Sequence, residues 1–486
     1  MPKPAPVRWL LPALLLMSLA LTVEILGPAL KKPLWYDDLD GLFFGRLVLE
    51  GTGVDDTHPW PLDCRALDEN GDNRVYQPGW IGLNALVVWL DIPHTAWRTF
   101  HVLALVASLT WLSWKRLTGL WMLGPLVAFI FADMPLRVGG TVRTYSLSAM
   151  GLTALALSWE RYRKGRGFWL LALTLTGLWQ LSLLALAYAL FGMAASLALT
   201  CRLDWRAWLK HWPLALVVGL LGVVQSVLGW PSDSSWFTMV HDPSTRFLSQ
   251  WHTLNAQGIA LATLGLAMIL LLSRRTPPDS IQGLCLGMVL ASLLVFPLVF
   301  ETHRGIWSII ILPLLWVEST KILSAHRSVG AAILLLTALT NGPAWCVSKT
   351  LPMPHANFID KAVYSQDLLK LAPAASLHES RYHKRSVDEE DYDAIIGSLR
   401  PGDSVLYEFS RLSLMARLTW EKGVPVTGMF PQEHPYATKH PESRLVKIVR
   451  PCWVLLPIGV DPSTHQKHVT QDPTARVVSD RLIYLP

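Results

Sequence analysis

The sequence predicts an α-helical polytopic membrane protein of about eleven spans that closes with an exported α/β domain. Three observations predict it. Charged residues make up only 16% of the 486, against about a quarter in ordinary soluble chains. Apolar windows of about 15–22 residues, near the length that crosses a bilayer, recur from residue 9 to residue 346. Beyond 346 the chain turns polar and proline-containing, with short β-type runs. The 23 tryptophans agree, since Trp favours membrane–water interfaces. A net charge of +6 does not mark a nucleic-acid binder here. Much of the basic charge sits in short loops between apolar runs, which is how topology signals are distributed.

The first apolar run, "WLLPALLLMSLALTVEILGPAL", occupies residues 9–30. It is longer than a signal-peptide core and lacks a convincing small-residue cleavage site, so it reads as a retained first helix. Further windows follow near 97–114, 119–132, 144–159, 168–183, 184–200, 213–229, 255–272, 281–300, 304–320 and 328–346. The stretch 168–200 is about twice one span and is divided near Trp179 and Gln180.

Lys and Arg in short loops orient the chain. With the N-terminus cytoplasmic, "MPKPAPVR", "WKRLTG", "ERYRKGRG", "CRLDWRAWLKH", "SRRTPPDS" and "KILSAHR" all face inward, each carrying at least two basic residues. Lys31 and Lys32 break the pattern. Residues 1–346 thus read as one transmembrane module of the cytoplasmic (inner) membrane. Its 31–96 loop is exported and acidic. Within that loop "QPGWIGLNALVVWLDIP" holds only about 14 apolar residues, too few for a span, and is expected to lie along the outer interface.

Residues 347–486 are expected to form a periplasmic α/β domain. Strand-like "DSVLYEF", "VPVTGMF", "CWVLLPIGV" and "RLIYLP" alternate with helical "AVYSQDLLKLA" and "DEEDYDAIIGSL". No Gly-rich phosphate loop follows a strand, so no nucleotide site is assigned. The five cysteines show no metal-ligand spacing. Cys64 and Cys452 both fall in exported segments, where a disulfide between them is chemically permitted.

The chemistry concentrates after the first span, in "LWYDDLDGLFFGRLVLEG". Asp37 and Asp38 suit the start of a helix, where carboxylates cap N–H groups and meet the positive end of the dipole. They equally suit a membrane-surface active site, because aromatic residues flank the pair and further acids crowd the same loop. Composition alone leaves both readings open.

The order of motifs resembles the GT-C superfamily of membrane glycosyltransferases, and within it the bacterial protein-mannosyltransferase and aminoarabinose-transferase-like branch. An acidic pair leads an amphipathic helix in "YDDLDGLFFGRLVLEGTG". A Pro-containing interfacial helix, a short turn and an Arg follow in "YQPGWIGLNALVVWLDIPHTAWRTFHVLA". An Arg-x-Tyr-Ser-Leu element opens a span in "VRTYSLSAMGL", and a basic signature precedes a span with a mid-helix Pro in "THRGIWSIIILPLLW". The match runs over about residues 9–320. Two departures stand out: Asp38 takes the place of the usual Glu, and no acid follows Tyr145 among Ser146, Leu147 and Ser148.

The resemblance implies transfer of a sugar from a polyprenyl-phosphate donor to an acceptor hydroxyl of a lipid, glycan or protein, outside the cytoplasm. A hydroxyl needs a positioned base to take its proton as it attacks C1. The anionic phosphate leaving group needs cations and hydrogen-bond donors, and the Arg fork matches phosphate oxygens. Asp37 is accordingly the candidate base, with Asp38 supporting it. Arg143 and Arg304 are the candidate phosphate ligands, with His303 and Tyr145 as secondary contacts. Asp133, Arg246 and His252 are candidate acceptor or supporting residues. A single base acting by direct displacement predicts inversion. No metal or other cofactor is expected, although Asp37 and Asp38 have the oxygen chemistry for a divalent ion. The rival reading is a transporter or flippase of lipid-linked or polar substrates. It fits less well because few charges fall inside the spans, where transporters place them.

Overall fold

The computed structural model describes residues 9–30, 77–131, 142–201, 204–227, 279–292, 310–324, 387–407, 411–429, 450–456 and 473–486, with isolated positions between 41 and 49. It divides into two compact units. Residues 9–30 and 77–324 belong to a helical unit, and residues 387–486 to a second unit built on a β-sheet. The windows 255–272 and 328–346 and the segment "AVYSQDLLKLA" lie outside the described residues.

The first apolar run forms α1, Leu10–Leu30. At 1.5 Å per residue it is about 31 Å long, enough to cross hydrocarbon. Among the described residues its Leu10–Gly27 stretch is the one window long and apolar enough to span by itself. The next helix, α2, covers Pro78–Trp89. Pro78 sits in its first turn, where a missing N–H costs nothing. Its twelve residues reach only about 18 Å, short of a crossing.

Helix α3 (His94–Arg116) ends on Lys115 and Arg116. A 3₁₀ turn at Gly119–Leu123 leads into α4 (Gly124–Phe131). Helices α5 (Thr144–Arg163) and α6 (Phe168–Leu181) are joined by a turn whose Gly165 and Gly167 hold φ of 76° and 79°, a region that side chains with a Cβ disfavour. The long run 168–200 is split at Ser182, whose extended backbone separates α6 from α7 (Leu183–Cys201). The break falls two residues beyond the expected point. A short α8 (Trp205–Leu209), capped by Asp204, precedes α9 (Trp212–Val227); α10 (Ser280–Leu290) and α11 (Leu312–Ser324) are the last helices among the unit's described residues.

Helix ends show how the chain threads. Arg116, at the end of α3, donates to Glu318, midway along α11 (3.1 Å from Nη2), and to Asp279, the cap of α10 (2.9 Å). It also lies 3.8 Å from Glu160 near the end of α5, and Lys321 donates to Asp279 at 2.7 Å. Thus α3, α5 and α11 finish at one end of the bundle while α10 begins there, as an alternating path requires. Burial alone would raise the Asp279 carboxyl, but Arg116 and Lys321 hold it below its ordinary value. Its depressed folded pKa gives stability that is present above the unfolded value of about 4 and lost as pH falls below it. Thermal melts of the solubilised protein should therefore hold level from pH 7 to 5 and decline below about pH 4, and Asp279→Asn should flatten that decline. The effect is small, because the carboxylate is 40% exposed and screened by water.

Helices α7 and α10 approach each other closely at glycines. Gly283 and Gly287 form a G-x-x-x-G face on α10, the pattern that lets membrane helices pack backbone to backbone. A Cβ on Gly287 would come within 2.3 Å of the Phe191 carbonyl and 2.7 Å of Ala195 Cβ; one on Gly283 would meet Ser196. Gly287→Leu should force the helices apart and sharply reduce the yield of folded protein on size-exclusion chromatography.

In the second unit, a helix over 387–396 precedes β1 (Ser404–Tyr407). Strand β1 is followed by a helix at Leu412–Lys422, then β2 (Val426–Met429), β3 (Cys452–Leu455), β4 (Arg476–Ser479) and β5 (Leu482–Leu485). The sheet order is β2-β1-β3-β5-β4, parallel across β2, β1 and β3 and antiparallel beyond. Alternate residues feed two cores, Val405, Tyr407, Trp453 and Leu455 on one face and Leu406, Cys452 and Val454 on the other. Cys452 is fully buried in the second of these cores, and Cys64 lies outside the described residues.

Candidate active site

The helix start at Arg143 and Tyr145 is the part of the expected site that the structure describes. Arg143 is the N-cap of α5, in extended conformation. Its Nη1 donates to the Tyr145 hydroxyl at 2.8 Å, and its guanidinium carbon stands 5.6 Å from the Tyr145 ring centre. Tyr145 is itself buried in the helical core. The cation is therefore anchored to a fixed ring and placed beside the positive end of a 20-residue helix, a combination suited to an anion. Asp37, Asp38, Asp133, Arg246, His252, His303 and Arg304 all lie outside the described residues.

A second set of polar groups comes from α2 and the start of α3. Arg98 is buried, at 2% exposure. His101 is fully buried and boxed by rings: Trp97 at 4.6 Å edge-on, Trp80 at 5.8 Å edge-on and Phe100 at 6.3 Å. Neither His101 nitrogen, nor Gln77 Oε1, nor Trp97 Nε1, meets a hydrogen-bond partner among the described residues. A buried ionisable group within a membrane-protein helix is costly and by default marks function. Arg98 ends the Pro-helix–turn–Arg motif in "DIPHTAWRTFH", so that motif pointed at it. His101 carried no sequence signal beyond its spacing of i+4 from Trp97 on one helix face.

The two sets share a depth. Helices α3 and α5 pack against each other, and their far ends meet where Arg116 and Glu160 stand 3.8 Å apart. Arg98 lies about 27 Å along the axis from Arg116, and Arg143 about 26 Å from Glu160. Two guanidinium groups thus occupy nearly the same level, at the end of the bundle opposite the ion cluster. Helix α2 is at that end too, since a Cβ on its Gly79 would strike Gln180 in the last turn of α6. The arrangement can hold an anion at the edge of a helical bundle, with aromatic walls beside it.

No family model and no curated protein matches the chain. Among solved structures, ArnT from Cupriavidus metallidurans bound to undecaprenyl phosphate superposes with a TM-score of 0.59 at 12% identity, covering 99% of this chain and 98% of that one. The same protein in the apo state gives 0.58 at 13% identity, with 97% of each chain covered. The chain has the ArnT fold. That is the GT-C-like, polytopic helical membrane fold that the order of motifs resembles, and it covers almost the full length of both ArnT structures. Near-complete coverage at such low identity means that the ArnT fold is carried by helix placement and not by residue likeness.

Proposed function

We propose that this chain is a GT-C glycosyltransferase that moves a sugar from a polyprenyl-phosphate donor to an acceptor hydroxyl at the outer face of the cytoplasmic membrane. One observation carries the reading: the fold is that of ArnT, and an ArnT structure holds undecaprenyl phosphate. A cation anchored on Tyr145 at a helix start of the same bundle supports it.

In this reading Asp37 takes the proton of the acceptor hydroxyl while the acceptor's oxygen forms a bond to the sugar C1. The bond from C1 to the phosphate oxygen breaks, and its electron pair leaves with the phosphate, which Arg143 and Arg304 stabilise. Attack opposite the leaving group inverts the anomeric carbon. Asp38 orients Asp37 or the acceptor, and His303 and Tyr145 assist at the phosphate. No metal is needed, because two guanidinium groups match the charge of the leaving group. The ion-cluster end of the bundle faces the cytoplasm, in keeping with the basic loops there, and residues 347–486 are periplasmic.

The test is binding to the purified chain, followed by native mass spectrometry. Undecaprenyl phosphate should be retained and undecaprenol, which lacks the phosphate, should not. Equal retention of both, or of neither, contradicts a phosphate-centred lipid site.

A further inference from the structure

At the ion-cluster end of the bundle the charges divide between two corners. At the first, Arg116 and Lys321 are matched by Glu318, Asp279 and Glu160. The second corner is built from the α5–α6 turn and α8. Among the described residues it carries six bases, Arg161, Arg163, Lys164, Arg166, Arg206 and Lys210, against Glu160 and Asp204. Glu160 binds Lys164 at 2.8 Å, and Asp204 is turned onto its own helix as a cap, accepting from the Arg206 backbone. The second corner is strongly positive.

The two segments are fastened to each other. His211, just after α8, contacts the Tyr162 hydroxyl through Nδ1 at 2.9 Å and Arg163 Nη1 through Nε2 at 3.0 Å. A guanidinium only donates, so Nε2 accepts, and Nδ1 carries the proton that it gives to Tyr162. His211 is therefore neutral; burial, Arg163 and Lys210 all lower its pKa. This clamp gathers bases from residues 161–166 and 206–210 on one corner. Beside them stand large apolar rings that the fold leaves open, Trp169 at 81% and Trp212 at 62% exposure. Cations next to exposed indoles at a helix end match a phosphate headgroup joined to acyl chains.

We propose that the α5–α6 turn and α8 form a binding site for an anionic phospholipid, its headgroup on Arg161, Arg166 and Lys210 and its chains along Trp169 and Trp212. The site lies at the opposite end of the bundle from the one assigned to the sugar donor, and it does not depend on the transferase reading. It would fix the annular lipid at the corner where α5, α6, α8 and α9 meet, and so steady the bundle from that side.

The full-length protein in detergent is titrated with phosphatidylglycerol, phosphatidylcholine or inorganic phosphate, and thermal stabilisation is read. Phosphatidylglycerol should raise the melting temperature, and the other two should not. The triple variant Arg161→Gln/Arg166→Gln/Lys210→Gln should need at least 10-fold more phosphatidylglycerol, since each base near an anionic surface is worth about 5-fold. Arg161→Lys/Arg166→Lys should respond like the parent, which guards against a folding defect as the cause. Stabilisation of the triple variant at unchanged lipid concentration overturns the proposal. So does equal stabilisation by phosphatidylcholine, or by inorganic phosphate alone.

Discussion

Arg143→Ala is expected to lower kcat/KM for sugar transfer by about 10²–10³, the loss seen when one preorganised donor to a developing anion is removed. In the proposed reaction the charge on the leaving phosphate grows as the C1–O bond breaks, so the loss should appear mainly in kcat. Arg143→Lys should recover part of the rate, because a point charge stays while the planar fork is lost. Tyr145→Phe removes the hydroxyl that accepts from Arg143 Nη1 but keeps the ring beneath the guanidinium. It should cost only several-fold. An Arg143→Ala enzyme with parental kcat would remove Arg143 from the site.

Glu318→Ala should be strongly destabilising to the helical unit. Glu318 is 2% exposed and is paired with Arg116, whose pKa burial lowers but Glu318 and Asp279 together hold above its ordinary value. Deleting Glu318 leaves the buried guanidinium only the more exposed Asp279 and Glu160, a loss towards the lower end of the about 3–5 kcal/mol for a broken buried pair. For a unit of this size that corresponds to a fall of about 10 °C in the apparent melting temperature. The double variant Arg116→Met/Glu318→Met, which removes both charges and keeps volume, should regain most of the loss. If it melts as low as Glu318→Ala, the cost lies in packing and not in the stranded charge.

Much of the helical unit could be read from local signals. Pro78 opens α2, the glycines at 165 and 167 turn α5 into α6, and the double-length run 168–200 does break, at Ser182. Three of the features that matter could not be read, because they are made by residues distant in sequence. Arg116 meets Asp279 and Glu318 across 163 and 202 positions, and each looks alone like an ordinary loop or helix-end charge. The depth shared by Arg98 and Arg143 follows only from that cluster. Tyr162, Arg163 and His211 likewise join two loops that seemed to carry only topology signals.

The sheet shows the same division. Strands β1, β2, β3 and β5 coincide with apolar runs. Strand β4 escaped because it is a four-residue edge with Val477 and Val478 about half exposed, which leaves no apolar alternation to detect. The helix at Leu412–Lys422 was hidden by Arg411, which looks like a polar start. In the fold Arg411 is fully buried, donating to Asp388 at 2.9 Å, to Asp391 and to the Leu456 carbonyl at 3.0 Å. An Arg411→Leu substitution would remove the buried cation that Asp388 and Asp391 share, leaving Asp391 to Arg481.

The most direct measurement is transfer itself. Purified protein and its Asp37→Asn variant are given a labelled polyprenyl-phosphate sugar and an envelope extract, and labelled acceptor is counted beside released polyprenyl phosphate. Asparagine keeps the shape of aspartate and gives up its basicity. The parent should release both products in equal amount while Asp37→Asn, equally folded, releases neither above background; equal turnover by the two proteins would contradict a carboxylate base at the membrane face.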